Sequence, residues 1–150
     1  MTMEARFYHL QRSTVEQALP QLLEKAIGQG MRAVVVAGSE ARLASLNSYL
    51  WTYRPDSFLP HGAANDGYAA DQPIWLTLTV ENPNGAQVLF LLDGTEVPPE
   101  TDFALTCDIF DGGDPDALAA ARARWKTLKD AGHTLTYWQQ NDRGGWEKKA

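Results

Sequence analysis

Apolar positions along this chain fall into short runs and stripes whose period changes from one stretch to the next. Residues 6–10, RFYHL, are compact and aromatic-rich and predict a first strand. The following stretch, STVEQALPQLLEKAIGQG, shifts to a helical period, with Val15, Ala18, Leu19, Leu22, Leu23, Ala26 and Ile27 on one stripe. Ser13 and Glu16 stand at capping-box spacing at its start, and Gly28 and Gly30 mark its end. Pro20 lies inside the stripe and lacks a backbone donor, which predicts a kink or a frayed first turn. Residues 32–38, RAVVVAG, are a nearly unbroken apolar run, as expected of a strand covered on both faces. Leu43, Leu46 and Leu50 then recur at helical spacing and predict a second helix over residues 39–51. Strand, helix, strand and helix in the first third of the chain imply βαβ units and a mostly parallel sheet.

The middle is less regular. HGAANDGYAADQP (61–73) is rich in Gly, Ala and Asp and reads as a loop. IWLTLTV (74–80) alternates and predicts a half-exposed strand, ENPNGA a turn, and QVLFLLD (87–93) a second buried strand. After the proline-containing loop GTEVPPETD, FALTCDIF (103–110) is again strand-like. Asp114 before Pro115 combines an N-cap with a first-turn proline. The body DALAAARARWKTLKDA predicts a last helix ending at Gly132, TLTYWQQ (134–140) a final strand, and residues 141–150 a polar tail. No repeat and no internal boundary interrupts the pattern. The expectation is one domain over residues 1–150, a three-layer α/β/α sandwich with a mostly parallel, mixed sheet.

Composition narrows the function. A formal charge of −6 argues against a phosphate-gripping face, so direct DNA or RNA binding is not expected. The opening MTMEARFYHL has no signal-like apolar region, and no apolar run reaches the roughly 20 residues that span a bilayer. The single Cys107 allows no internal disulfide and fits a reducing cytoplasm.

Candidate chemistry is sparse. The turn after RAVVVA reads GSEARL, with one glycine and no lysine, so the nucleotide-binding-like topology comes without a phosphate loop. Asp93 ends a strand where a Mg²⁺-associated carboxylate could sit, but without that loop it reads as an acid that starts a turn. His9, His61 and His133 have no paired spacing, and no metal or cofactor is implied. Asp108, Asp111, Asp114 and Asp116 precede the last helix, where acids usually cap it and favour its dipole. No serine occupies a G-x-S-x-G elbow.

Two surfaces remain. LWTYRPDSFLPHG (50–62) combines loop chemistry with Trp51, Tyr53, Phe58 and Leu59. Trp51 either closes the second helix while Phe58 and Leu59 begin a buried strand, or Trp51 and Phe58 stay partly exposed as anchors of a protein interface. In the last helix, four cations (Arg122, Arg124, Lys126 and Lys129) and no acid lie between Ala117 and Lys129. At about 100° per residue, Leu118, Arg122, Trp125 and Lys129 share a face within roughly 60°. That ledge suits an acidic peptide ending in a carboxylate, since arginine clamps carboxylate while the indole packs apolar groups. The other reading is a helix that buries Ala121, Trp125 and Leu128 and leaves its arginines in water.

FYHL, TVEQ…LLEKAIGQGMRAVVVAG, LWTYRPDSFLPHG with its W-x-x-x-P-x-S-F-x-P-H core, and ARARWKTLKDAGHTL together resemble the chi subunits of bacterial DNA polymerase III holoenzyme, over nearly the whole length. The resemblance implies a non-catalytic accessory subunit of the clamp-loader assembly. Its expected partners are the psi subunit and the acidic C-terminal tail of single-stranded DNA-binding protein, or, in some bacteria, a helicase-like repair protein in place of psi. Trp51 and Phe58, with Pro60 and His61 beside them, match the psi-side residues. Arg122 matches the family's carboxylate-gripping arginine, and Trp125 stands where an aromatic meets the tail. The basic residue expected one turn earlier is Leu118 here, a departure for which Lys126 or Lys129 would substitute, with Arg124 adding to the attraction. A small nucleotide-dependent enzyme and a direct single-strand binder are the competing readings.

Overall fold

The computed structural model describes residues 3–11, 13–52, 61–63, 68–96, 103–143 and 145–150. Among these, eight strands and three α-helices follow one another as β1 (Glu4–Leu10), α1 (Val15–Gly28), β2 (Ala33–Val36), α2 (Glu40–Thr52), β3 (His61–Ala63), β4 (Ile74–Thr77), β5 (Val88–Leu91), β6 (Leu105–Asp111), α3 (Pro115–Asp130), β7 (Thr134–Gln140) and β8 (Trp146–Lys148). The strands form a single sheet in the order β3-β4-β2-β5-β6-β1-β7-β8. Every pairing is parallel except β7 with β8. The expected mixed, mostly parallel sheet is therefore present.

Two-residue periodicity divides the core between the faces of that sheet. On one face Tyr8, Leu10, Val35, Ile74, Phe90 and Ile109 pack with Leu19, Leu23, Leu46 and Leu50 from α1 and α2. On the other, Phe7 and Phe110 meet Ala121, Leu118, Trp125 and Leu128 of α3, while Val34, Val36, Leu89 and Leu91 meet Trp75 and Phe103. Helices on both sides make three layers, as a parallel sheet buried on both faces requires.

Local chemistry differs from the expectations in two places. The capping box of α1 is Thr14 with Gln17, one residue later than Ser13 with Glu16: Thr14 Oγ1 accepts from the Gln17 N–H (3.3 Å) and Gln17 Oε1 from the Thr14 N–H (3.0 Å). Ser13 instead accepts from Gln140 Nε2 at 2.7 Å, tying the helix entrance to the end of β7. Pro20 is buried inside the helix, whose first turn is capped rather than frayed. Only Ile74–Thr77 of the alternating stretch is strand, and all four residues are buried rather than half-exposed, because Ile74 and Leu76 pack into the core on one face of the sheet and Trp75 into that on the other. Thr77 Oγ1 then donates to Glu81 and the chain turns away.

β3 and a 3₁₀ turn at Ala69–Asp71 lie in the stretch expected to be loop, and β8 lies in the one expected to be a polar tail. Trp146 of β8 packs edge-on against Tyr8 at 5.0 Å, so that final strand is anchored by an aromatic contact.

Candidate functional site

The last helix begins as its sequence demands. Asp114 accepts from the backbone N–H groups of Asp116 and Ala117, and Pro115 occupies the first turn. Of the residues in α3 only Ala121 is fully buried. Leu118, Trp125 and Leu128 are partly buried against the sheet, whereas Arg122, Lys126 and Lys129 are exposed. Trp125 sits edge-on between Phe7 (5.4 Å, 71°) and Tyr137 (5.9 Å, 77°). The indole is thus seated on the sheet with part of its surface open beside the exposed cations.

Arg122 carries no hydrogen bond or ion pair among the described residues, yet it has company. Its charge acts on both His9 and Tyr137. These two residues meet where β1 and β7 run side by side: His9 Nδ1 and the Tyr137 hydroxyl are 2.5 Å apart. Phe110, register partner of His9 on β6, completes the group, with ring centroids 5.3 Å from His9 and 6.2 Å from Tyr137. The imidazole lies directly over the backbone of Gly112; a Cβ there would fall 1.8 Å from Nε2, so only glycine admits the ring. Burial, then the Arg122 charge, hold His9 below its ordinary range, against an opposing pull from Asp111. Burial raises the Tyr137 hydroxyl, partly offset by Arg122.

No local motif announces this group. His9, Phe110 and Tyr137 are brought together only by the parallel register of three strands. The available signal was composition, an aromatic or histidine near the C-terminal half of each.

Arg124, grouped by spacing with the peptide-binding cations, points the other way. Its Nε and Nη2 donate to Asp108 Oδ2 (2.6 Å) and Oδ1 (3.0 Å), and the two side chains are only 11% and 7% exposed. Asp108 belongs to this buried pair and does not cap the helix. The pair lines a cavity of about 310 Å³ between α3 and the turn after β5, walled by Phe7, Leu91, Ala123 and Leu128. Arg124 fastens the helix; its charge is already neutralised.

The second surface lies at the end of α2. Trp51 is 55% exposed, with its ring 4.3 Å from that of His61. His61 is buried, and its Nε2 lies 2.8 Å from Asn47 Oδ1. The indole therefore stands on a fixed imidazole at the sheet's β3 edge. Phe58 and Pro60 lie outside the described residues.

At the β2–α2 turn, where nucleotide-binding folds hold phosphate, the chain places its own carboxylates. Asp93 Oδ2 accepts from the Gly38 N–H (3.0 Å), and Arg42 bridges Asp93 (3.1 Å) and Glu16. Gly38 is required by this approach, since a Cβ there would come within 2.5 Å of the Asp93 Cβ. An incoming phosphate would meet two negative charges and an arginine already paired. Asp93, in a left-handed backbone conformation (φ 55°), works as a turn residue that closes this end of the sheet.

Residues 1–136 match the protein family described as DNA polymerase III chi subunit, HolC. The match takes in α3 and the start of β7 and ends before β8. A relative named "Probable DNA polymerase III subunit chi" from Rickettsia prowazekii (strain Madrid E) is 33% identical over 90 residues, 60% of this chain and 54% of that protein. The chain thus spans about half the length of this relative. "DNA polymerase III subunit chi" from Pseudomonas aeruginosa (strain PAO1) is 28% identical over 120 residues, covering 79% of this chain and 82% of the relative.

Proposed function

Because the chain belongs to the DNA polymerase III chi subunit family, we propose that it acts in the cytoplasm as a non-catalytic accessory subunit of the replicase, bridging the clamp loader to single-stranded DNA-binding protein. One end of the bridge is the outer face of α3, which receives the acidic C-terminal tail of single-stranded DNA-binding protein. The observation that carries this is Arg122, an exposed guanidinium with no ion pair among the described residues, standing beside the half-open aromatic group of Trp125 and Tyr137. Arginine binds a carboxylate through two parallel N–H donors, and the rings supply apolar area for a terminal phenylalanine. Lys126 and Lys129, both exposed, add attraction for the tail's acids. Leu118 contributes packing beneath the ledge in place of a cation.

The other end is the Trp51 surface, where the psi subunit, or a helicase-like repair protein in its place, covers an indole that this chain leaves half in water. Exposed aromatics on a rigid base are what concentrates binding energy in protein interfaces. Phe58 and Pro60 belong to the same proposed surface by sequence. A chain that reaches DNA through another protein's tail needs no basic phosphate-binding face, which agrees with its acidic charge.

The test is a pair of substitutions read against two ligands. Arg122→Ala is expected to weaken binding of a tail peptide roughly tenfold or more, as loss of a charge-assisted bidentate contact does, and to leave psi binding unchanged. Trp51→Ala is expected to do the reverse. Equal effects of both substitutions on both ligands, in folded proteins, would exclude two separate docking sites. A labelled oligonucleotide without other proteins should show no binding at moderate salt.

A further inference from the structure

His9 has no part in the bridge as described and Tyr137 lends it only an aromatic ring, yet both are partly exposed and lie within reach of Arg122's charge. We propose that they form a proton-coupled second clamp for the peptide's carboxylate, closing when His9 takes up a proton from solvent. The proposal rests on the docking function assigned above to α3 and concerns how that same site is regulated.

The geometry is that of a reversible hydrogen bond. With His9 neutral and its proton on Nε2, Nδ1 accepts from the Tyr137 hydroxyl at 2.5 Å. The phenol oxygen then offers only lone pairs to a ligand, and an approaching carboxylate is repelled. Protonation at Nδ1 inverts the bond: the imidazolium N–H donates to the phenol oxygen, and the hydroxyl hydrogen is released to point outward. A single proton therefore adds one positive charge beside Arg122 and converts an outward acceptor into a donor. Both changes favour an anion and neither favours a neutral ligand.

The surroundings set the balance. Facing His9 are Arg122 from α3, Asp111 and the neutral Phe110 from β6, Tyr137 from β7, and the backbone of Gly112. In the free protein, burial and Arg122 disfavour the imidazolium more than Asp111 favours it, so the clamp stands open near neutral pH. A carboxylate docked on Arg122 cancels that repulsion and draws the proton in. Because Gly112 lies directly under the ring, His9 has a fixed seat from which to respond.

The test uses an N-acetylated acidic peptide ending in phenylalanine with a free carboxylate, titrated between about pH 8 and pH 5.5, a window in which the peptide's own acids stay ionised. The expected result is an affinity that rises about three- to tenfold as pH falls, a rise of one pKa unit in His9 on binding corresponding to tenfold. Calorimetry in two buffers of different ionisation enthalpy should register proton uptake. His9→Gln should flatten the profile while keeping binding at pH 8, and Tyr137→Phe should keep the ring packing but blunt the rise. NMR of the wild-type His9 ring, which needs no variant, should show it titrating at higher pH with peptide bound. A flat wild-type profile with no proton uptake overturns the clamp while leaving docking intact. A peptide that binds at no pH overturns the docking function, and the clamp falls with it.

Discussion

Cys107 shows how completely position decides the chemistry of one side chain. It lies on β6 with 2% of its surface exposed, and burial pushes its thiol up to about 12. Thiolate is the reactive form, so the native protein should resist alkylation at neutral pH. A thiol-reactive dye is expected to label the folded chain no faster than it unfolds and to label the urea-unfolded chain at once; rapid labelling of native protein would contradict the packing of β6. Its neighbour Asp108 points to the opposite face and meets an arginine. Arg122 and Arg124 repeat the contrast two residues apart on α3: one stands in water beside aromatic rings, the other is clamped inside. Sequence does not separate the two arginines, because residue type is the same and only the direction of the side chain differs.

At the scale of elements, α3 has the fewest fully buried side chains of the three helices. It buries one alanine fully and three larger side chains in part, so the Arg124–Asp108 pair is its main polar fastening. Asp108→Ala would leave a guanidinium buried without a partner, which typically costs about 3–5 kcal/mol. The expected outcome is a Tm lower by roughly 10 °C, with loss of peptide binding at temperatures where β1 to β5 remain folded; an unchanged Tm would show that the helix is held by its apolar face alone. The helices themselves were legible. Apolar stripes gave α1, α2 and α3 to within a residue or two, and Asp114 with Pro115 marked the start of α3 correctly. β3 and β8 were not legible, since HGA and WEK have no strand-like run of their own. They become strands because β4 and β7 present unpaired backbone edges to them.

For the whole molecule, the His9 environment makes one contribution to the response to pH. The His9 value lies below its ordinary one near 6.5, so the unfolded chain takes up its proton first. The stability that neutral His9 contributes is fully present above about pH 6.5 and is lost as pH falls toward the folded value. Urea midpoints measured from about pH 8 down to pH 5 should decline on the acid side, and the decline should be shallower in His9→Gln. Equal slopes in the two proteins would show that His9 titrates as it does in the unfolded chain. Bound peptide should reverse this contribution, because the docked carboxylate favours the imidazolium that the free protein disfavours.

Sequence alone determined the layered α/β class, the order of most elements, the missing phosphate loop, and the two stretches in which aromatic or cationic residues gather. Those properties are written in local period, composition and short motifs, which act over a few residues. The tertiary structure decided that Arg124 faces inward, that Asp93 and Glu16 occupy the phosphate position with Arg42, and that His9, Phe110 and Tyr137 meet beside Arg122. Each of these depends on the register of parallel strands and on which side of a helix meets the sheet. Such contacts join residues far apart in the chain, so no pattern in any one stretch records them.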